Sequence, residues 1–220
     1  MTASPLPVVE LVAAVRRADS ALGLLQATQD LAAAPHPDGA ACLVEVLGFN
    51  NPGAAVAAVD GLVAIGEPAV ETILTNIDGH NYGSRAWAVR ALAGIGDVRG
   101  LEVLEDALGQ DIGPSVRRAA ARGLGQLRLS ALAGPQRQAV ASRCLAALLA
   151  GCGDGEWVVR YAVVVGLEAL AQQLSPDAAG VALAPLREAL ERLCRDPAEE
   201  VPVVQLRAAL ALQRLEAVDG

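Results

Sequence analysis

The stretches Arg85-Ala86-Trp87-Ala88-Val89-Arg90-Ala91-Leu92-Ala93-Gly94-Ile95 and Arg117-Arg118-Ala119-Ala120-Ala121-Arg122-Gly123-Leu124-Gly125 decide the fold when laid over one another. In each, an arginine stands seven residues before a leucine, a second arginine stands two before it, and a small residue comes immediately before it. The apolar positions recur at three and four, the period of an amphipathic helix, and no strand-like alternation competes with them. Working outward, the same small-residue-Leu step appears at Gly61-Leu62, Ala91-Leu92, Gly123-Leu124, Gly166-Leu167 and Ala211-Leu212, with spacings of 30, 32, 43 and 45 residues. The arginine seven before the leucine recurs as Arg85, Arg117 and Arg160, twice as a Val-Arg pair.

A spacing of this size with two helices per unit is the mark of an α-solenoid, in which each unit buries its apolar face only against its neighbours. The predicted fold is therefore all-α: an α-solenoid of HEAT-like (armadillo-type) helical-hairpin repeats, about five to six of them in a single domain over residues 1–220. Glycine, proline and aspartate mark off helices near 8–18, 21–33, 39–48, 53–65, 68–77, 84–95, 98–109, 114–128, 135–150, 156–173, 179–194 and 199–216. The steps lengthen after Leu124, so the carboxy-terminal repeats are expected to be larger. In such an array the arginine at the seventh position before the leucine commonly bonds an acidic side chain or a carbonyl of the next repeat.

Composition supports helix on helix. The chain is 53% hydrophobic but only 2% aromatic, and alanine and leucine are strong helix formers that let helices approach closely. The formal charge of −8 argues against a nucleic-acid partner, which needs a basic face. All seventeen basic residues are arginine, which removes Schiff-base chemistry and the lysine of a phosphate-binding loop. Arginine instead grips carboxylates in a planar, two-point geometry. No basic residue precedes Arg16 and no apolar run approaches the roughly 18 residues a membrane span requires. The expectation is a cytoplasmic protein with no membrane insertion. Cys42, Cys144, Cys152 and Cys194 form no CxxC pair and lie mostly in apolar helical patterns, which suits buried, reduced thiols better than disulfides or a metal site.

Little in the chain suits conventional catalysis. There are two histidines, one of them in the turn Pro35-His36-Pro37, and no phosphate loop, metal-ligand spacing or Ser/His/Asp order stands out. One segment differs: Asp78-Gly79-His80-Asn81-Tyr82-Gly83-Ser84-Arg85-Ala86-Trp87-Ala88-Val89-Arg90 gathers one of two histidines, one of two tyrosines, one of two tryptophans and two arginines. Five before the leucine, where Trp87 stands, the neighbouring units have Ala57, Ala119 and Ala162. A tryptophan there either plugs a gap in the core or lines a pocket. Arg90 and Arg122 occupy equivalent positions and are expected on one face with Tyr82 and Trp87, where they would suit a flat, conjugated ligand bearing carboxylates. Glu156-Trp157-Val158-Val159-Arg160-Tyr161 repeats the theme as an expected anchor between repeats.

The Asn-Tyr-Gly-x-Arg-x-Trp block at Asn81–Trp87, with Ser115-Val116-Arg117-Arg118 and the layout of repeats, resembles the E/F-type phycobilin lyases of cyanobacteria, most of all their smaller F-type subunits. The resemblance implies assistance in joining an open-chain tetrapyrrole, phycocyanobilin or phycoerythrobilin, through a thioether to a cysteine of a phycobiliprotein α or β subunit. The bilin is then substrate, with no permanently bound cofactor, and the partners are an E-type subunit and the phycobiliprotein. Tyr82, Arg85, Trp87, Arg90 and Arg122 are the expected bilin-binding residues, with Asp78 or His80 holding a pyrrole nitrogen or relaying a proton. Some F-type members isomerise the bilin and carry an Asn-His-Cys-Gln-Gly-Asn motif; here there is only His80-Asn81, with no cysteine nearby. Two other functions fit the same residues: a bilin or biliprotein chaperone or phycobilisome-turnover factor that forms no bond, and a plain HEAT-repeat scaffold.

Overall fold

Three helices of the first half begin on side-chain caps. Ser20 Oγ accepts from Gly23 N (3.1 Å), Asn51 Oδ1 from Ala54 N (3.1 Å) and Asn81 Oδ1 from Ser84 N (3.0 Å), each satisfying an amide that the first helical turn leaves without a partner. Prolines in the first turn pre-set the backbone at Pro52, Pro114 and Pro135. At the other end of the helix that starts at Pro52, Gly66 takes φ +74, and its amide returns to the Leu62 carbonyl at 3.0 Å.

The computed structural model describes residues 7–77, 81–174, 183–196, 199 and 201–219, and among these there are twelve α-helices and no strand. They are α1 (Val8–Arg17), α2 (Ala21–Ala32), α3 (Ala40–Leu47), α4 (Pro52–Ile65), α5 (Val70–Thr75), α6 (Tyr82–Ile95), α7 (Leu101–Gln110), α8 (Pro114–Gln126), α9 (Gly134–Gly151), α10 (Trp157–Gln173), α11 (Ala184–Arg195) and α12 (Pro202–Asp219). The α-solenoid class is thus as the spacing predicts. What the helical period does not reveal is the short 3₁₀ turn that leads into α3, α5 and α7, at Pro37–Gly39, Glu67–Ala69 and Val98–Gly100. The chain divides into two compact units, Met1–Ile95 and Gly96–Gly220.

In the first unit α2, α4 and α6 pack side by side as one layer, and α3 and α5 lie in a second layer against them. Glycines at the helix contacts permit this, Gly61 in the repeat signature and Gly94 two residues after the signature leucine. A Cβ on Gly61 would come within 2.9 Å of both Ala32 Cβ and Leu43 Cδ1, and one on Gly94 within 2.6 Å of Val63 Cγ2. Leu31, Leu43, Leu47, Leu62, Ile73 and Leu92 form the core between the layers, each worth roughly 1.5–3 kcal/mol relative to an exposed side chain.

In the second unit α8, α10 and α12 form the corresponding layer, with α7, α9 and α11 against it. Here the approach is closest of all: a Cβ on Gly125 would sit 2.2 Å from the Gly166 carbonyl oxygen. The arginine anchors expected at Arg117 and Arg160 are present. Arg117 on α8 gives two bonds to Asp154 and one to the Asp111 carbonyl, and Arg160 on α10 gives two to Glu199 and one to the Asp154 carbonyl. The Glu156–Tyr161 cluster therefore works through Arg160 as an anchor between repeats. Trp157 in the same cluster is 42% exposed. A further pairing ties α10 to α12, where buried Glu168 accepts from both Arg207 and Arg214.

Candidate functional site

Asn51 and Asn81 stand thirty residues apart and perform the same task, capping α4 and α6. Their neighbours leave a recess. Phe49, Asn50, Asn51, Asn81, Ser84 and Trp87 are among the residues lining a cavity of about 220 Å³ between the α3–α4 turn and the first turns of α6. At the position of Trp87 the neighbouring repeats carry alanines: Ala57 and Ala162 are buried, at 7% and 1% exposure, and Ala119 is half-buried. Trp87 is half-buried. Its ring is one of the groups that line the recess.

Arg90, one turn further along α6, places its guanidinium carbon 4.3 Å from the centroid of the Trp87 ring. At that distance the cation is held by the ring face, an attraction of about 0.5–1 kcal/mol at an exposed site. The ring also fixes where the cation sits, so a carboxylate reaching it meets an oriented donor fork next to a flat aromatic surface. Neither Trp87 nor Arg90 has a hydrogen bond or ion pair among the described residues. Tyr82 opens α6 and is 44% exposed. Arg85 is half-buried on α6 and holds the repeat position at which Arg117 and Arg160 are anchors.

Arg122 belongs to the second unit, where it is exposed on α8. Asp78 and His80 lie outside the described residues. Of the residues singled out in the sequence, Tyr82, Arg85, Trp87 and Arg90 share one helix, and Trp87 and Arg90 touch. Phe49 and Asn81 complete the recess and were overlooked as site residues. Phe49 is the only phenylalanine in the chain, so the scarcity that singled out Trp87 would have found it too.

Three of the four thiols are buried. Burial pushes Cys144 up to about 12 and Cys152 up to about 11, and it also raises Cys42 above the ordinary thiol value. Since the thiolate is the nucleophile, these three cysteines cannot compete for a thiol-reactive ligand near neutral pH. Among the described residues no three His, Cys, Asp or Glu side chains gather for a metal ion, and no single helix is long and apolar enough to cross a membrane.

The repeat architecture has relatives. Residues 73–137 match the HEAT repeats family, and a designed armadillo repeat protein shares the fold with a TM-score of 0.55 at 18% identity, covering 95% of this chain and all of that one. More specific likeness runs through nearly the whole chain. It is 45% identical over 212 residues to the bilin biosynthesis protein RpcF of Synechococcus sp. strain WH8020, covering 96% of this chain and 97% of that protein. It is 52% identical over 163 residues to the phycocyanin alpha phycocyanobilin lyase CpcF of Synechocystis sp. strain PCC 6803, covering 74% and 76%. The solved complex of CpcE and CpcF of phycocyanin lyase from Nostoc sp. PCC7120 contains a chain matching at TM-score 0.71 and 42% identity, covering 80% of this chain and 99% of that one. By fold and repeat signature this is a HEAT-repeat protein. The chain belongs to the E/F-type phycobilin lyase family, on the side of its F-type subunits.

Proposed function

We propose that the chain is the F-type subunit of a phycobilin lyase, which works with an E-type subunit to assist thioether attachment of a bilin to a cysteine of a phycobiliprotein α or β subunit. The observation that carries this is Arg90 held over Trp87 at the recess on α6, in a chain that corresponds over nearly its full length to a protein named for bilin biosynthesis and over about three quarters of it to one named as a phycocyanobilin lyase. The bilin is a substrate, phycocyanobilin or phycoerythrobilin, and the place of work is the cytoplasm. The 220 residues are taken to act as one repeat domain.

Thioether attachment is an addition: the acceptor sulfur bonds to a carbon of a double bond, the thiol proton passes to its partner carbon, and nothing is oxidised or expelled. Such a step needs no nucleophile from the lyase. It needs the tetrapyrrole held in one geometry against the acceptor thiol and kept from other partners, and well-oriented pairs gain several kcal/mol from that alone. Trp87 and Tyr82 supply surface for the conjugated rings. Arg90, with Arg122 as the second candidate and Arg85 as the third, supplies the two-point grip on the propionates. Asp78 or His80 is the candidate for contact with a pyrrole nitrogen or for proton relay. Burial keeps Cys42, Cys144 and Cys152 from competing with the acceptor cysteine.

Co-expression with bilin-making enzymes, an E-type subunit and candidate acceptors, read as bilin fluorescence on a denaturing gel, tests the proposal. A fluorescent acceptor that depends on both subunits is expected. Bilin binding with no covalent acceptor would leave a chaperone, and no bilin binding at all would leave a scaffold.

A further inference from the structure

A second recess, of about 430 Å³, lies on the first unit between α2 and α4, lined by Gln29, Ala33, Gly53, Val56, Asp60 and Ala64 among others. Both recesses border the first turn of α4, one at Asn51 and Pro52, the other at Gly53. The lining is small and apolar apart from the Gln29 amide and the Asp60 carboxylate, and Val56 is 47% exposed within it. Asp60 stands two before Leu62, as Arg90 stands two before Leu92. An acid and a base thus hold equivalent positions on adjacent, packed helices of one layer.

They do not pair with each other. The Arg90 guanidinium lies over Trp87, and Asp60 has neither ion pair nor hydrogen bond among the described residues. An exposed acid in a shallow apolar groove, one helix away from a cation held on an aromatic ring, presents complementary charge to a single elongated ligand. That ligand carries hydrogen-bond donors in its middle and carboxylates at its edge. A linear tetrapyrrole has this distribution: pyrrole N–H groups along its inner side and propionates along its outer side.

We propose, resting on the function given above, that Asp60 is the carboxylate that accepts the pyrrole N–H groups of the bilin in the groove between α2 and α4, while Arg90 holds a propionate and Trp87 lies against a ring. The carboxylate favours the protonated, cationic form of the conjugated system, because an opposite charge at hydrogen-bond distance stabilises it. It also fixes which way round the tetrapyrrole lies, with its reactive end at one side of the layer.

The test uses the purified complex of the full chain with its E-type subunit, titrated with phycocyanobilin and followed by visible absorption across pH 5–9. The variants are Asp60→Asn and, as a control at an exposed carboxylate on α1, Glu10→Gln. Unmodified complex is expected to hold the bilin in its cationic form, seen as a red-shifted band, to higher pH than free bilin. Asp60→Asn is expected to bind about tenfold or more weakly and to lose the red-shifted band at a lower pH, with Glu10→Gln unchanged. Unchanged affinity and band titration in Asp60→Asn would overturn the assignment of Asp60 and leave the lyase function standing. Failure of the unmodified complex to bind phycocyanobilin would overturn both.

Discussion

Arg117 on α8 and Asp154, thirty-seven residues later, meet fork to fork: Nε to Oδ2 at 2.7 Å and Nη2 to Oδ1 at 3.0 Å, with both side chains largely buried. The pattern repeats one unit on, where Arg160 meets Glu199 with bonds of 2.6 and 2.8 Å. The two pairs are linked, because Arg160 also donates to the Asp154 carbonyl. The second unit is held by a continuous line of charge as well as by its leucines.

Arg117→Met is therefore expected to destabilise the chain by roughly 2–4 kcal/mol, because it strands a mostly desolvated carboxylate. Replacing both partners, as Arg117→Met with Asp154→Leu, is expected to recover much of that loss. Urea unfolding of the single and double variants measures it, and a single variant as stable as the parent would remove the anchor from the account.

The same pairs give stability a pH dependence. Burial raises Asp154, but the bonds from Arg117 and from the Glu156 amide outweigh it and hold its carboxyl below the ordinary value; the Arg160 bond lowers Glu199 against a smaller effect of burial. A carboxyl lowered in the folded state contributes stability that is present above its unfolded pKa, near 4, and is lost as pH falls through the folded value. Unfolding free energy is expected to hold level from pH 7 to about 5 and to fall below about 4. In Arg160→Met the fall is expected to be shallower.

Thiol labelling offers an independent check. In the native chain at pH 8, a thiol reagent is expected to modify half-buried Cys194 first, with Cys42, Cys144 and Cys152 protected until unfolding. Rapid modification of all four cysteines would contradict the buried-thiol assignment.

Gly125→Ala addresses the packing of α8 on α10. Its Cβ would fall on the Gly166 backbone, at 2.2 Å from the carbonyl oxygen and 2.5 Å from Cα, so no side chain can rotate away to relieve the contact. A loss of at least about 1–3 kcal/mol is expected, read as a lower thermal midpoint. Gly109→Ala, where nothing lies within 4 Å, is expected to be neutral or stabilising.

The fold was legible because three signals agree: apolar residues at helical spacing, leucines 30 to 45 residues apart, and arginines at a constant distance from them. Each of the twelve expected helices has a counterpart, and Arg117 and Arg160 anchor as their spacing implies. The 3₁₀ turns at Pro37–Gly39, Glu67–Ala69 and Val98–Gly100 were not legible, since three residues carry no period and proline and glycine read equally well as an open turn. The site was only partly legible. Rarity pointed to Trp87, and the repeat position to Arg90, but contact between the two rests on side-chain direction, which spacing alone does not decide. Asp60 escaped notice because one acid in an alanine-rich helix reads as a solvated face; its place at the Arg90 position of the preceding repeat was the available signal.

The central claim is that the bilin lies on α6 against Trp87 and Arg90. The measurement that tests it most directly is the rate of bilin transfer to the acceptor, scored by covalent fluorescence, for Trp87→Ala and Arg90→Ala beside the unmodified complex. Half-buried Trp87 is expected to cost about 1–2 kcal/mol of stability, less than the 3–5 kcal/mol of a fully buried tryptophan, and Arg90 no more than the about 0.5–1 kcal/mol of its attraction to the ring. Both variants therefore keep their helical signal and most of their thermal stability. Transfer is expected to fall sharply in Trp87→Ala, and bilin binding to weaken in Arg90→Ala by the about 1.5–3 kcal/mol of a charged hydrogen bond. Transfer at the unmodified rate by both folded variants would contradict the account and put the bilin elsewhere on the protein.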